Sequence, residues 1–113
     1  MVTYFQDTIF DISPTLTAPG NGNLLQVAVN NTFSTQSYTL IVIVANVNSH
    51  VDVSLDGSID GTNFVPIIAS QRVAANGASV FSVTGRPVKW IRPVFITESG
   101  GTDATVSFQV AAA

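Results

Sequence analysis

No cysteine occurs among the 113 residues. A disulfide framework, a zinc–thiolate centre and a cysteine nucleophile are therefore excluded. Charge is scarce too: Asp, Glu, Lys and Arg make up 10% of the chain, against roughly 25% in an average soluble domain. There is one histidine, His50. The longest apolar run, Leu40-Ile41-Val42-Ile43-Val44-Ala45, falls far short of the ~18 to 20 residues that a bilayer-crossing helix needs. The opening Met1-Val2-Thr3-Tyr4-Phe5-Gln6-Asp7 has no basic segment leading into an apolar stretch, so synthesis in a host cytoplasm without a secretory signal is expected. No phosphate-cradling glycine loop followed by Lys, and no GxGxxG, is present.

What is present is apolar. Hydrophobic residues make up 46% of the chain, and mean hydropathy is +0.40. A free monomer normally covers itself with charged side chains for solubility. A chain that does not is expected to have much of its surface covered by partners. The alternative is a Ser-, Thr- and Asn-rich β surface, soluble through neutral polar groups. A net charge of −3 argues against a nucleic-acid partner. The charges are unevenly spread. Asp7, Asp11, Asp52, Asp56 and Asp60 precede every basic residue, and Arg72, Arg86, Lys89 and Arg92 cluster later. Either the fold separates these segments into two oppositely charged surfaces, or antiparallel pairing interleaves them.

Hydrophobic period is two nearly everywhere. Val51, Val53 and Leu55 alternate with Asp52, Ser54 and Asp56, and Val106, Phe108 and Val110 alternate with Thr105, Ser107 and Gln109. Such alternation turns one strand face to a core and the other to water. Turn signals at Ser13-Pro14, 18–23, Asp56-Gly57, Asp60-Gly61, Asn76-Gly77, 85–87 and 99–101 separate the runs. Eight strands are expected, near 2–12, 24–30, 38–47, 51–56, 63–68, 78–83, 88–97 and 104–110. The expected fold is all-β: a single antiparallel, jelly-roll-like β-sandwich domain over 1–113.

Two segments stand out. Residues 40–45 are apolar on both faces, which needs a second covering layer: a neighbouring subunit, or the chain's own loop 13–23 or 31–37. The other is Val88-Lys89-Trp90-Ile91-Arg92-Pro93-Val94-Phe95-Ile96. Pro93 cannot donate to a ladder, so an edge strand or a bulge is expected there. Trp90 reads as a sheet-packing residue.

Groups for catalysis are few. His50 lies in the expected turn Asn48-Ser49-His50, and nothing places a serine and an acid beside it as a triad requires. Asp52 and Asp56 share the polar face of one expected strand, which is no enclosed cleft for an acid with a raised pKa. Asp56-Gly57-Ser58-Ile59-Asp60-Gly61 opens like a calcium loop, but Ile67 stands where the bidentate Glu belongs. The plainer reading is a hairpin turn built on Asp56, Gly57, Asp60 and Gly61, with both glycines at positive φ. No catalytic residue, cofactor or metal is expected.

The hairpin Ser58-Ile59-Asp60-Gly61-Thr62-Asn63-Phe64 resembles one common in small β-sandwich structural proteins of tailed bacteriophages. Phe64 stands where many relatives have Trp. The stretch from Trp90 to Gly101, then Ala104 to Val110, is similar to their closing hairpin. The resemblance covers the second half of the chain. It implies a virion structural protein, of capsid cement or decoration type on the capsid surface, with the major capsid protein and itself as partners. It also implies a small homo-oligomer such as a trimer, with no membrane or nucleic acid involved. Contacts are expected through Tyr4 and Phe5 in the segment 2–12, and through Leu40, Ile41, Val42, Ile43 and Val44. Tail or fibre accessory proteins carry similar hairpins, and a carbohydrate-binding β-sandwich module is the rival from another class.

Overall fold

A computed structural model of the chain describes residues 9–28 and 35–113. Among them lie nine strands: β1 (Ile9–Ile12), β2 (Gly20–Asn21), β3 (Leu25–Gln26), β4 (Tyr38–Ala45), β5 (His50–Ser58), β6 (Val65–Val73), β7 (Gly77–Val83), β8 (Trp90–Ser99) and β9 (Thr105–Ala112). The described residues contain no helix, as β-branched runs of period two dictate.

The antiparallel pairs are nested about the β5–β6 hairpin. Outside it, β4 pairs with β7, then β2 and β3 with β8, then β1 with β9. Two further pairings, β4 with β9 and β5 with β8, draw the nest into two sheets. The first sheet runs β1-β9-β4-β7 and the second β2-β8-β5-β6, with β3 also beside β8. Counting β2 and β3 as one interrupted strand gives eight strands in a jelly-roll arrangement, the expected class.

Alternation selects the core. In β9, Val106, Phe108, Val110 and Ala112 are buried, while Thr105, Ser107, Gln109 and Ala111 are only half so. Leu40, Val42 and Val44 of β4 pack in the same core as Val51, Val53 and Leu55 of β5. Each of these six is at most 2% exposed, and burying such a side chain contributes about 1.5–3 kcal/mol. Among the polar groups built into this interior is the Tyr38 hydroxyl. The buried Tyr38 hydroxyl donates to the Thr35 carbonyl at 3.3 Å and accepts from the Val88 N–H at 3.2 Å, and Thr35 Oγ1 donates to the Val27 carbonyl at 3.1 Å. These bonds join the segment after β3 to the entries of β4 and β8.

Several expectations are corrected. Of the strand expected over 24–30, whose residues 29–30 lie outside the described residues, only the two-residue β3 is seen among the described residues, and β2 lies inside the expected loop 18–23. The cause is Pro93. Far from an edge, β8 is central, and Pro93 pairs with Leu55 of β5. On its other side Pro93 faces the break between β2 and β3, where its carbonyl accepts the Gly22 N–H at 2.8 Å. In an antiparallel strand a residue's N–H and C=O point to the same side. The missing proline N–H therefore falls where no strand needs it. A bulge does occur in the β5–β8 ladder, where the register shifts between Asp52 and Val53. His50 opens β5 rather than lying in the turn, and β6 runs to Val73, beyond the expected end at 68. Residues 2–8 of the first expected strand lie outside the described residues.

The charge segments interleave. Asp52 meets Arg72 across β5 and β6 at 3.3 Å, and Asp56 is in register with Arg92 on β8.

Candidate functional site

The 59–64 loop is a self-contained polar knot. Asp60 Oδ1 accepts the backbone N–H groups of Thr62 and Asn63, each at 2.8 Å, and the Ser58 hydroxyl at 3.1 Å. Its Oδ2 accepts Asn63 Nδ2 at 2.6 Å. The bond from the Asn63 amide is the foremost cause, followed by that from Thr62, that hold the Asp60 carboxyl well below the usual carboxylate range. Gly61 has φ +81°, the left-handed region that glycine enters without penalty. A Cβ on it would lie 3.2 Å from the Trp90 ring, so the loop lies against that ring. The two remaining members of the expected turn are placed differently. Asp56 and Gly57 lie within β5, because the strand continues through Ser58. Gly57 has no positive φ among the described residues. Its backbone is pressed against β6, where a Cβ would stand 2.9 Å from Ile67 Cγ2.

Both carboxylates of the expected turn are hydrogen-bonded locally. Asp60 is engaged by its own loop, and Asp56 accepts the Ser54 hydroxyl at 3.0 Å. Among the described residues no three His, Asp or Glu side chains are grouped as a metal site requires. His50 has one side-chain hydrogen bond among them, between Nδ1 and Ser49 Oγ at 3.2 Å.

The outer side of the second sheet carries the aromatics Phe64 and Trp90, and both rings are engaged. The Arg92 guanidinium lies 3.9 Å from the Phe64 ring centre, and Lys89 Nζ lies 4.7 Å from that of Trp90. The Arg92–Phe64 contact and the packing of Gly61 on the Trp90 ring fasten the 59–64 loop to β8. Trp90 thus has the packing role its position in the sequence implies.

The outer side of the first sheet is different in kind. Register aligns Ile12 of β1, Gln109 of β9, Ile41 of β4 and Val80 of β7 in one row across all four strands. The next row is Phe10, Ala111, Thr39 and Ser82, and on the other side Ile43 stands between Ser107 and Ala78. None of these residues is charged. Phe10 is 71% exposed, Ile12 63%, Val80 64% and Ile43 38%. A shallow hollow of about 160 Å³ lies between Phe10, Ile12, Thr39, Ile41, Gln109 and Ala111.

The expected contact segment 40–44 is thereby divided. Leu40, Val42 and Val44 belong to the core, and only Ile41 and Ile43 face outward. Loop 13–23 follows the margin of the face along β9: Leu16 bridges Val106 and packs on the core, and Thr15 Oγ1 lies 2.8 Å from Ser107 Oγ. The other expected cover, 31–37, lies partly outside the described residues, as do Tyr4 and Phe5 entirely. Phe10 and Ile12 fall in the segment 2–12 expected to make contacts, though neither was named there, and Val80 was not anticipated. Each is one apolar residue in an alternating strand, and only the register collects them on one face.

These features define a class: an antiparallel β-sandwich that, among the described residues, has no clustered reactive groups and one uncharged sheet face without a covering layer. Among solved structures the chain is similar in fold to the SPBc2 prophage-derived protein YomS. The two are 8% identical, with a TM-score of 0.56 over 99% of this chain and 96% of that one. A protein of Bacillus endospore appendages, a novel family of disulfide-linked pili, gives a TM-score of 0.44 at 9% identity, over 93% of this chain and 86% of that one. The second likeness is too slight to carry an argument. No protein-family model and no curated protein matches the sequence.

Proposed function

We propose that this chain is a virion structural protein that acts by association rather than by catalysis. In its most specific form the reading is a cement or decoration protein, bound to the major capsid protein and to copies of itself on the capsid surface. The observation that carries it is the uncharged, apolar outer face of the first sheet. Monomeric soluble proteins rarely leave a contiguous apolar patch without a partner. The prophage-derived protein of similar fold and the hairpin at 58–64 agree with this assignment. Protein that binds only the assembled lattice stabilises that lattice by mass action. The carbohydrate-binding alternative fares less well, because Phe64 and Trp90 are covered by Arg92 and Lys89.

The test is the copy number of the chain in purified particles of the encoding phage, by quantitative mass spectrometry against the major shell protein. Copies comparable to the shell protein are expected. A handful per particle would move the chain to the tail or a fibre, and absence from the particle would overturn the structural reading.

A further inference from the structure

A β-sandwich has four sheet edges, and an unpaired edge invites another strand. Three of the four are guarded here. Edge strand β1 is described over four residues and carries Asp11. The β2 and β3 edge is broken into two short pieces. Strand β6 carries Pro66 and Arg72, and register shifts distort its pairing with β5. The fourth edge, β7, has none of these devices. It is the seven-residue strand Gly77-Ala78-Ser79-Val80-Phe81-Ser82-Val83, without a charge or a proline. Among the described residues it pairs with β4 alone.

The geometry points to β7 as the strand by which two copies of this chain join, antiparallel and about a two-fold axis at Val80. The pairing presupposes a chain that assembles with itself, as proposed above, and adds the surface and the symmetry. Three observations select a second copy as the occupant. First, backbone at an open edge is complemented by a strand, and β7 is complementary to itself. Pairing about Val80 sets Ala78 opposite Ser82 and Ser79 opposite Phe81, so no like charges meet. Second, Phe81 and Val83 are only half-buried where they pack at the rim of the core, and a neighbouring strand would cover them further. Third, Val80 ends the uncharged row that begins at Ile12 and passes through Gln109 and Ile41. A second copy extends that row across the axis into its own. The product is one continuous eight-stranded sheet, with two copies of the uncharged face side by side. A two-fold contact builds dimers or even-numbered assemblies, in place of the trimer that the resemblance implies.

The absence of native cysteine gives a clean test. V80C places two thiols opposite each other across the axis, where paired Cβ atoms in a sheet lie roughly 4.5–5.5 Å apart. Mild oxidation is expected to convert V80C, but not V65C on the guarded edge β6, into a covalent dimer on a non-reducing gel. Light scattering is expected to show the unmodified chain passing from monomer to dimer at concentrations on the order of micromolar, as suits a small interface. V80K sets two like charges opposite each other and is expected to raise that midpoint at least tenfold. Val80 is exposed, so the variant's far-ultraviolet circular dichroism should match the parent. Removing residues 1–8 should leave the dimer intact. Loss of the dimer in that truncation would mean that a neighbour's N-terminal segment fills the edge, and would overturn the proposal. So would a chain monomeric at every concentration, or an oligomer unaffected by V80K in which V80C does not cross-link. An oligomer of that last kind would leave the self-assembling reading standing, whereas absence from particles would remove that reading whatever the gel shows.

Discussion

At the scale of single residues, Tyr38 and Asp60 are two polar groups whose hydrogen bonds help shape the molecule. The Tyr38 hydroxyl is the acceptor for the buried Val88 N–H. Tyr38→Phe keeps the ring and strands that donor, at a cost of about 1–3 kcal/mol, readable as a lower urea midpoint with an unchanged slope. Asp60 stabilises through its charge. Its carboxyl is held below the ordinary range by the Asn63 and Thr62 amides. Its contribution is therefore complete above the unfolded-state value of about 3.9 and is lost as pH falls below that toward the folded-state value. Asp60→Asn is expected to lower the urea midpoint at pH 7. The gap between variant and parent should narrow as the pH is brought down to about 2. A gap that stays constant would show that the charge contributes nothing. The sequence made this loop legible because Asp, Gly and Asn carry their turn chemistry locally. It misplaced Asp56 and Gly57 because Gly57 answers to Ile67 and Val88, residues that are neighbours only in the fold.

At the scale of elements, the long strands were legible and the short ones were not. β5 and β9 announce themselves by alternation and β4 and β8 by long β-branched apolar runs, whereas β6 was read only as far as 68. β2 and β3 carry too few residues to show any period. What breaks them is Pro93, remote in sequence, which takes its place in the sheet only because its partner strand stops there. Gly22 makes the meeting possible. A Cβ at that position would lie 2.6 Å from Pro93 Cγ and 2.8 Å from Ser13 Oγ. Gly22→Ala is expected to destabilise by about 1–3 kcal/mol, measured by thermal or urea unfolding. Because this junction closes one edge of the second sheet, hydrogen exchange should quicken at β2 and β3 before it does at β5.

At the scale of the whole molecule, the fold class was readable from turn spacing, but the bare face was not. The run 40–45 advertises apolar character on both sides. Which of its residues are core and which are surface depends on the pairing with β7 and β9. If the first sheet's outer face meets the particle, Ile41→Lys should weaken binding to purified shells at least tenfold, measured by co-sedimentation, with little change in thermal stability. Ile59→Lys is the control: Ile59 is as apolar as the half-buried Ile41 and more exposed, but sits on the 59–64 loop. The nested topology also sets a tempo. Nearly every ladder joins strands distant in the chain, so refolding should take milliseconds to seconds rather than microseconds, as stopped-flow fluorescence of Trp90 would record.

The outermost pair of that nest brings Ile9 beside Ala112. A short linker from Ala113 to Ile9 in place of residues 1–8 would close the chain into a ring without disturbing the described ladders. Opening the ring between Thr62 and Asn63 would then give a circular permutant with the same two sheets and new ends at the opposite limit of the nest. Cargo fused to it would leave from the β5–β6 hairpin instead of from the β1–β9 edge.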